Sequence, residues 1–153
     1  MGQAGELERA AYAERLALMM TSTGMPRMAS RVLATMLVSE DGIATSAELG
    51  AKLQVGAPAI SGAMKFLAEI GMVIKEREPG RRRDHYRLGD DPWYRSTVTQ
   101  NQSLQLWENA AGEGVELLGT DTAAGRRLDE TRRFFEFLRT EMPLLIERWQ
   151  QHR

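Results

Sequence analysis

"TSAELGAKLQVGAPAISGAMKFLAEIGMVIKEREPGRRRDHYRL", Thr45 to Leu88, is the stretch whose reading decides the fold. It opens on Thr45-Ser46-Ala47-Glu48, a capping-box pattern. The threonine hydroxyl can accept from the Glu48 amide while the Glu48 carboxylate reaches back to the Thr45 amide. A short helix follows, with Leu49 and Leu53 inward, and ends near Gln54-Val55-Gly56. Pro58 suits the first turn of a second helix, which runs to about Ile70. Its apolar stripe is Ile60, Ala63, Leu67 and Ile70, and Gly71 is a good residue just past the end. "MVIKERE" (72–78) then reads as a strand. Val73, Lys75 and Arg77 share one face, and Met72, Ile74 and Glu76 the other. "HYRL" (85–88) is its partner, and "PGRRRD" (79–84) is the loop that joins them into a hairpin.

Outward from this stretch the chain is helical. Residues 3–22 are rich in Ala, Leu, Glu and Met. "TSTGMP" (21–26) breaks that helix, and a second starts at about Pro26 with Ala29, Val32, Leu33, Met36 and Leu37 on its apolar side. "SEDG" (39–42) ends it. Downstream of "GDDPW" (89–93), Leu104, Trp107, Ala111, Val115 and Leu118 recur at helical spacing, with Gly112 and Gly114 expected to weaken or bend the helix. "GTDTAAG" (119–125) is the expected turn. Leu128, Thr131, Phe135, Leu138, Met142, Leu145 and Trp149 then form a heptad-like seam. Pro143 predicts a kink or a fresh start within it, because the residue before a proline is biased away from the helix.

Two short helices joined by a tight turn make a helix-turn-helix, and the added hairpin makes it a winged helix. The expected class is mainly α with a small β-hairpin. A winged helix-turn-helix core at 24–92 is flanked by dimerisation helices at 1–23 and 93–153.

Composition bounds the chemistry. Lys+Arg total 20 and Asp+Glu 21, a formal net charge of −1. Any interaction with nucleic acid must therefore rest on where charges sit, not on an overall surplus. Within 24–92 the balance is ten basic against nine acidic residues, so the signs must separate by face, with Glu40, Asp41 and Glu69 turned away from the basic side. The absence of cysteine excludes disulfides, thiolate zinc sites and thiol nucleophiles. "MGQAGELERA" has no apolar signal core, and no run approaches a membrane span. A soluble protein of the reducing cytoplasm is expected.

In a helix-turn-helix the second helix normally enters the DNA major groove. Here that helix is small and smooth at its start: Gly56, Ala57, Pro58, Ala59, Ser61 and Gly62. Ser61 and Lys65 are its hydrogen-bonding side chains, and Ala57 and Pro58 stand at the end that approaches the duplex, where Pro58 or Ala59 can touch a thymine methyl. Arg81, Arg82 and Arg83 occupy the hairpin tip, where guanidinium groups suit phosphates and a narrow minor groove. Three arginines in a row are often no more than a solvated loop; their place at a wing tip points them to DNA. The smooth helix start has its own plain alternative, packing at a helix crossing. A winged helix can also serve as a protein–protein module without DNA, but that use does not need an arginine-tipped wing.

The segment from about Gly24 to Tyr94 resembles the winged-helix core of GbsR/MarR-like bacterial transcriptional regulators. The motifs that carry the likeness are Gly24-x-Pro26-Arg27, "TSAEL", "AISGAMKFLAEIGMV" and "PGRRRDHYRL". The resemblance implies a homodimeric repressor or activator whose terminal helices form the dimer interface, and in some members a small-ligand pocket between those helices and the DNA-binding lobe. It implies recognition-helix contacts at Ser61 and Lys65, wing-tip contacts at Arg81, Arg82 and Arg83, and weaker backbone contacts at Arg27 and Arg31. Gly56-Ala57 depart from the polar cap usual in that family, which bears on base specificity.

The chain ends suit dimerisation on their own chemistry. Tyr12, Leu16, Met19 and Met20 form an apolar stripe near the N-terminus, and Trp107, Phe134, Phe135, Leu138 and Trp149 supply large apolar surface near the other end. A small apolar ligand pocket is the weaker expectation, from Met20, Met28, Met36 and Trp93; methionine also fills ordinary cores. His85 and His152 have no metal-ligand spacing, and no glycine-rich phosphate loop is present. His85 suits a phosphate or carboxylate partner. No metal, cofactor or enzymatic activity is expected.

Overall fold

The computed structural model describes residues 2–77, 79–80 and 84–153. It divides into two compact units, one up to Pro92 and one from Trp93 to Arg153.

The first unit carries α1 (Gln3–Ser22), α2 (Arg27–Leu37), β1 (Ile43–Thr45), α3 (Ser46–Leu53), α4 (Ala57–Glu69), β2 (Val73–Glu76) and β3 (His85–Leu88). The capping box forms: Thr45 Oγ1 accepts from the Glu48 amide at 3.2 Å, and Glu48 Oε2 accepts from the Thr45 amide at 2.8 Å. Gln54 in the left-handed region stops α3, and Gly71, with φ +82°, stops α4 and sends the chain into β2. Leu33, Met36, Leu49, Ile60, Met64 and Leu67 are fully buried where α2, α3 and α4 meet. Thr45→Ala removes the cap hydroxyl and is expected to lower stability by about 1 kcal/mol, read as the shift in a urea midpoint.

The sheet has three strands in the order β1-β3-β2, all antiparallel. The sequence suggested a two-stranded hairpin only. Strand β1 is three residues long, and its last residue doubles as the α3 cap. The expected alternation is partial: Met72, just before β2, and Val73 are both buried, and Lys75 is exposed.

Helix α1 is not a separate element. Ala13, Ala17 and Met20 belong to the same core as α2 to α4, and Leu16 packs against it. Its far side exposes Leu7, Tyr12, Leu18 and Met19. The stripe read from sequence thus divides over two faces.

The second unit is a hairpin of α5 (Pro92–Leu118) and α6 (Ala123–Gln151). Thr122 caps α6 by accepting from the Gly125 amide at 2.9 Å. Trp107 stacks on Phe135 with ring centroids 5.4 Å apart. Arg139 Nε donates to Glu108 Oε2 at 2.6 Å, which holds the Glu108 carboxyl below its usual range. Gly112 and Gly114 do not end α5. A Cβ on Gly114 would stand 2.6 Å from Leu128 Cδ1, so the missing side chain lets α6 come close. Nor does Pro143 start a new helix: α6 runs through it. Proline there forfeits one backbone bond, and a helix of this length has many others. Phe135, Leu138 and Met142 of the expected seam are half-buried, whereas Leu145 and Trp149 are exposed.

Candidate nucleic-acid interface

Helix α4 buries Ile60, Ala63, Met64 and Leu67 and leaves Ala57, Pro58, Ser61, Gly62 and Lys65 exposed. Ala57, Ser61 and Lys65 follow at intervals of four and lie on one face. The smoothness of this face has no internal cause. A Cβ on Gly62 would meet nothing within 4 Å, and a mid-helix glycine costs about 1 kcal/mol relative to alanine. Packing at a helix crossing therefore does not account for it. Gly56 caps the helix without a side-chain hydrogen bond, so amides of the first turn have no side-chain oxygen from the cap. Beside this end lies an open concavity of about 660 Å³ walled by small residues, among them Ser46, Ala47, Gly50 and Ala57.

The stem of the wing is held by its own ion pairs. Glu76 Oε1 accepts from Arg87 Nε at 2.8 Å, and Glu76 Oε2 lies 3.2 Å from His85 Nε2. The Arg87 hydrogen bond draws the Glu76 carboxyl below its usual range, with His85 assisting against desolvation. His85 is buried, so its partner is this carboxylate, as its place in the hairpin suggested. Lys75 Nζ pairs across the strands with Asp84 Oδ2 at 3.1 Å, which raises the lysine. Arg81, Arg82 and Arg83 lie outside the described residues.

Arg27 and Arg31 separate. Arg27 is exposed at the start of α2. Arg31 is engaged: its Nε and Nη2 donate to Glu14 of α1, the shorter bond at 2.8 Å, and Nη2 also reaches the Leu53 carbonyl at 3.5 Å. A backbone contact from Arg31 would require breaking that pair. Glu40 is likewise bound by Arg9 of α1 at 2.6 Å. Both α1 partners were invisible to local sequence reading because they are remote in the chain. Met20 and Met36 are core side chains and Met28 packs on that core, so these methionines fill space. Trp93 is exposed in α5.

Helix-turn-helix, three-stranded sheet and exposed second helix together define a winged-helix protein. Two family models match the chain: "MarR family" over residues 23–84 and "MmpR5-like MarR family transcriptional regulator" over residues 91–152. Each model matches less than half of the chain, and together they support a MarR-like winged-helix transcriptional regulator, a class of DNA-binding and not catalytic proteins. Neither model carries the GbsR part of the resemblance. A crystal structure of a transcriptional regulator matches with a TM-score of 0.85 at 22% identity, over 94% of this chain and 99% of that one. Lactococcus lactis ZitR (a C30AH42A mutant in apo form; 18% identity, 92% and 98% covered) aligns at a TM-score of 0.39. The adhesin competence repressor AdcR of Streptococcus pyogenes (15% identity, 88% and 96% covered) aligns at 0.41. Both scores are too low to carry a structural argument. No curated protein matches the sequence. Among the described residues no helix is long and apolar enough to cross a membrane.

Proposed function

We propose that this chain binds a palindromic operator as a homodimer and represses transcription, with α4 in the major groove and the Arg81–Arg83 tip on the neighbouring backbone or minor groove. A symmetric dimer presents two recognition helices about one DNA turn apart, which matches inverted half-sites. The observation that carries the reading is the bare outer face of α4, where Gly62 gains nothing from its own fold. Small residues there let the helix and its free amides approach phosphates closely. With Ser61 and Lys65 as the polar side chains of that face, base readout rests on few contacts, and DNA shape carries more of the selectivity. The location that fits this role is the cytoplasm, on the nucleoid when bound.

The test is fluorescence anisotropy with DNA from upstream of the chain's own gene, titrated over a salt series. Lys65→Ala is expected to weaken binding to all sequences alike and to reduce the salt slope by about 1. If wild type shows no binding even at low salt, the operator reading is abandoned and a protein partner is sought.

A further inference from the structure

The concavity beside the start of α4 is walled by small residues of α3 and α4 and, on the hairpin side, by Asp84 and Tyr86. Ala57 belongs to the exposed face of α4, so the concavity adjoins that face. Among the described residues that line it, Asp84 carries the only formal charge, and the charge is negative. A phosphate approaching the bare end of α4 therefore meets a carboxylate. A chain with no basic surplus must keep its acids off a DNA-binding face. Glu14 and Glu40 obey this: they are taken up by Arg31 and Arg9 in pairs that involve α1. Asp84 stands as an exception directly before β3. Its Oδ2 lies 3.1 Å from Lys75 Nζ, and the lysine and aspartate side chains are 58% and 38% exposed. An ion pair so open to water adds little to stability. The hairpin has other ties, in the β2–β3 ladder and in Glu76, which binds Arg87 and His85. What the pair does change is charge: Lys75 can reach a phosphate only by leaving Asp84.

Resting on the proposal that α4 and the wing face DNA, we infer that Asp84 attenuates binding at that face: its carboxylate withholds the Lys75 ammonium from phosphates and opposes a phosphate that enters the concavity. Asp84 is thus a positioning residue that acts through Lys75. Affinity drawn from phosphates is blind to sequence and supplies nearly all non-specific binding. A carboxylate placed here lowers that share. Bulk DNA offers a vast excess of competing sites, so a weaker sequence-independent hold frees the chain to find its own. Attraction is then left to Lys65 and to the tip arginines, which stand apart from the pair in sequence.

The test is fluorescence anisotropy of the full-length protein on a random-sequence duplex over a salt series. Asp84→Asn is expected to bind about fivefold tighter at low salt and to steepen log K against log salt by about 0.9, the mark of one more phosphate neutralised. Asp84→Glu keeps a carboxylate within reach of Lys75 and should hold the wild-type slope. Asp84→Asn/Lys75→Gln should return to that slope, because neither charge of the pair remains. All three variants should melt with wild type, since the pair is exposed. A pair that served only to hold the strands would instead give a lower melting temperature and weaker binding on Asp84→Asn. That result overturns the inference, as does an unchanged slope, or a gain in Asp84→Asn that survives loss of Lys75. The operator reading is tested apart, by the preference of wild type for upstream DNA over the random duplex. If wild type binds the two alike, that reading fails while the slopes still decide Asp84. If it binds neither, both fall.

Discussion

Replacing Arg81, Arg82 and Arg83 together by alanine should flatten the salt dependence of DNA binding by about 2.7 in log K against log salt. Each phosphate neutralised on duplex DNA contributes roughly 0.9 to that slope through counterion release, and three are at stake. At low salt the affinity itself should fall on the order of a hundredfold. The stem explains why the tip carries this effect. Lys75 is committed to Asp84, and Arg87 to Glu76 and Asp90. Those pairs hold the two strands together and leave both cations partly neutralised. The chain as a whole offers no surplus, with a formal net charge of −1, so positive potential at the DNA must come from a concentrated source. Circular dichroism and melting of the triple variant should match wild type, because the substitutions leave every side chain of the α1 to α4 core in place. An unchanged slope with intact binding would show that the wing does not reach phosphates, and would leave α4 as the whole of the interface.

Local chemistry was legible in the sequence, and remote pairing was not. The capping box at Thr45, the stop at Gly71 and the buried stripe of α4 follow from neighbours a few residues apart, and each stands where the spacing put it. Strand β1 escaped because three residues carry no periodicity, and its partner β3 begins forty residues later. Arg31, a weaker backbone-contact candidate by resemblance, is paired with Glu14, seventeen residues earlier, a partner that local spacing does not reveal. Gly114 read as a weak point because only the folded hairpin brings Leu128 against it. Pro143 read as a kink or a fresh start because the rule that disfavours proline in helices is local, whereas α6 runs on through it. In the interface, Ser61, Lys65 and the smooth start of α4 could be placed on one face from spacing alone. That nothing inside the protomer needs Gly62 to be bare is a property of packing.

The dimer can be tested with two exposed side chains of α6. Phe137 and Trp149 are 61% and 58% exposed in the protomer, so changing both to glutamate should leave helicity and the hairpin intact. In the proposed dimer they are covered by the partner, together with neighbours such as Phe134 and Leu144 that are also half or more exposed. The hairpin has almost no core of its own: among the described residues only Ser96, Ala111 and Gly125 are buried in it. Exposed apolar side chains of that kind suit the proposed interface. An unpaired charge buried there costs about 3–5 kcal/mol, and two-fold symmetry repeats each substitution on the partner. Phe137→Glu/Trp149→Glu is therefore expected to be a monomer at micromolar concentration by sedimentation. Its operator affinity should fall by at least a thousandfold, because the two half-sites are then bound independently. Phe135 and Leu138 make a useful contrast. They are half-buried, and Phe135 stacks on Trp107 within the chain, so their loss should lower the melting temperature of the hairpin as well as weaken the dimer. A double glutamate variant that still sediments as a dimer would place the interface elsewhere. The exposed outer side of α1, with Leu7, Tyr12, Leu18 and Met19, would then be the next surface to charge.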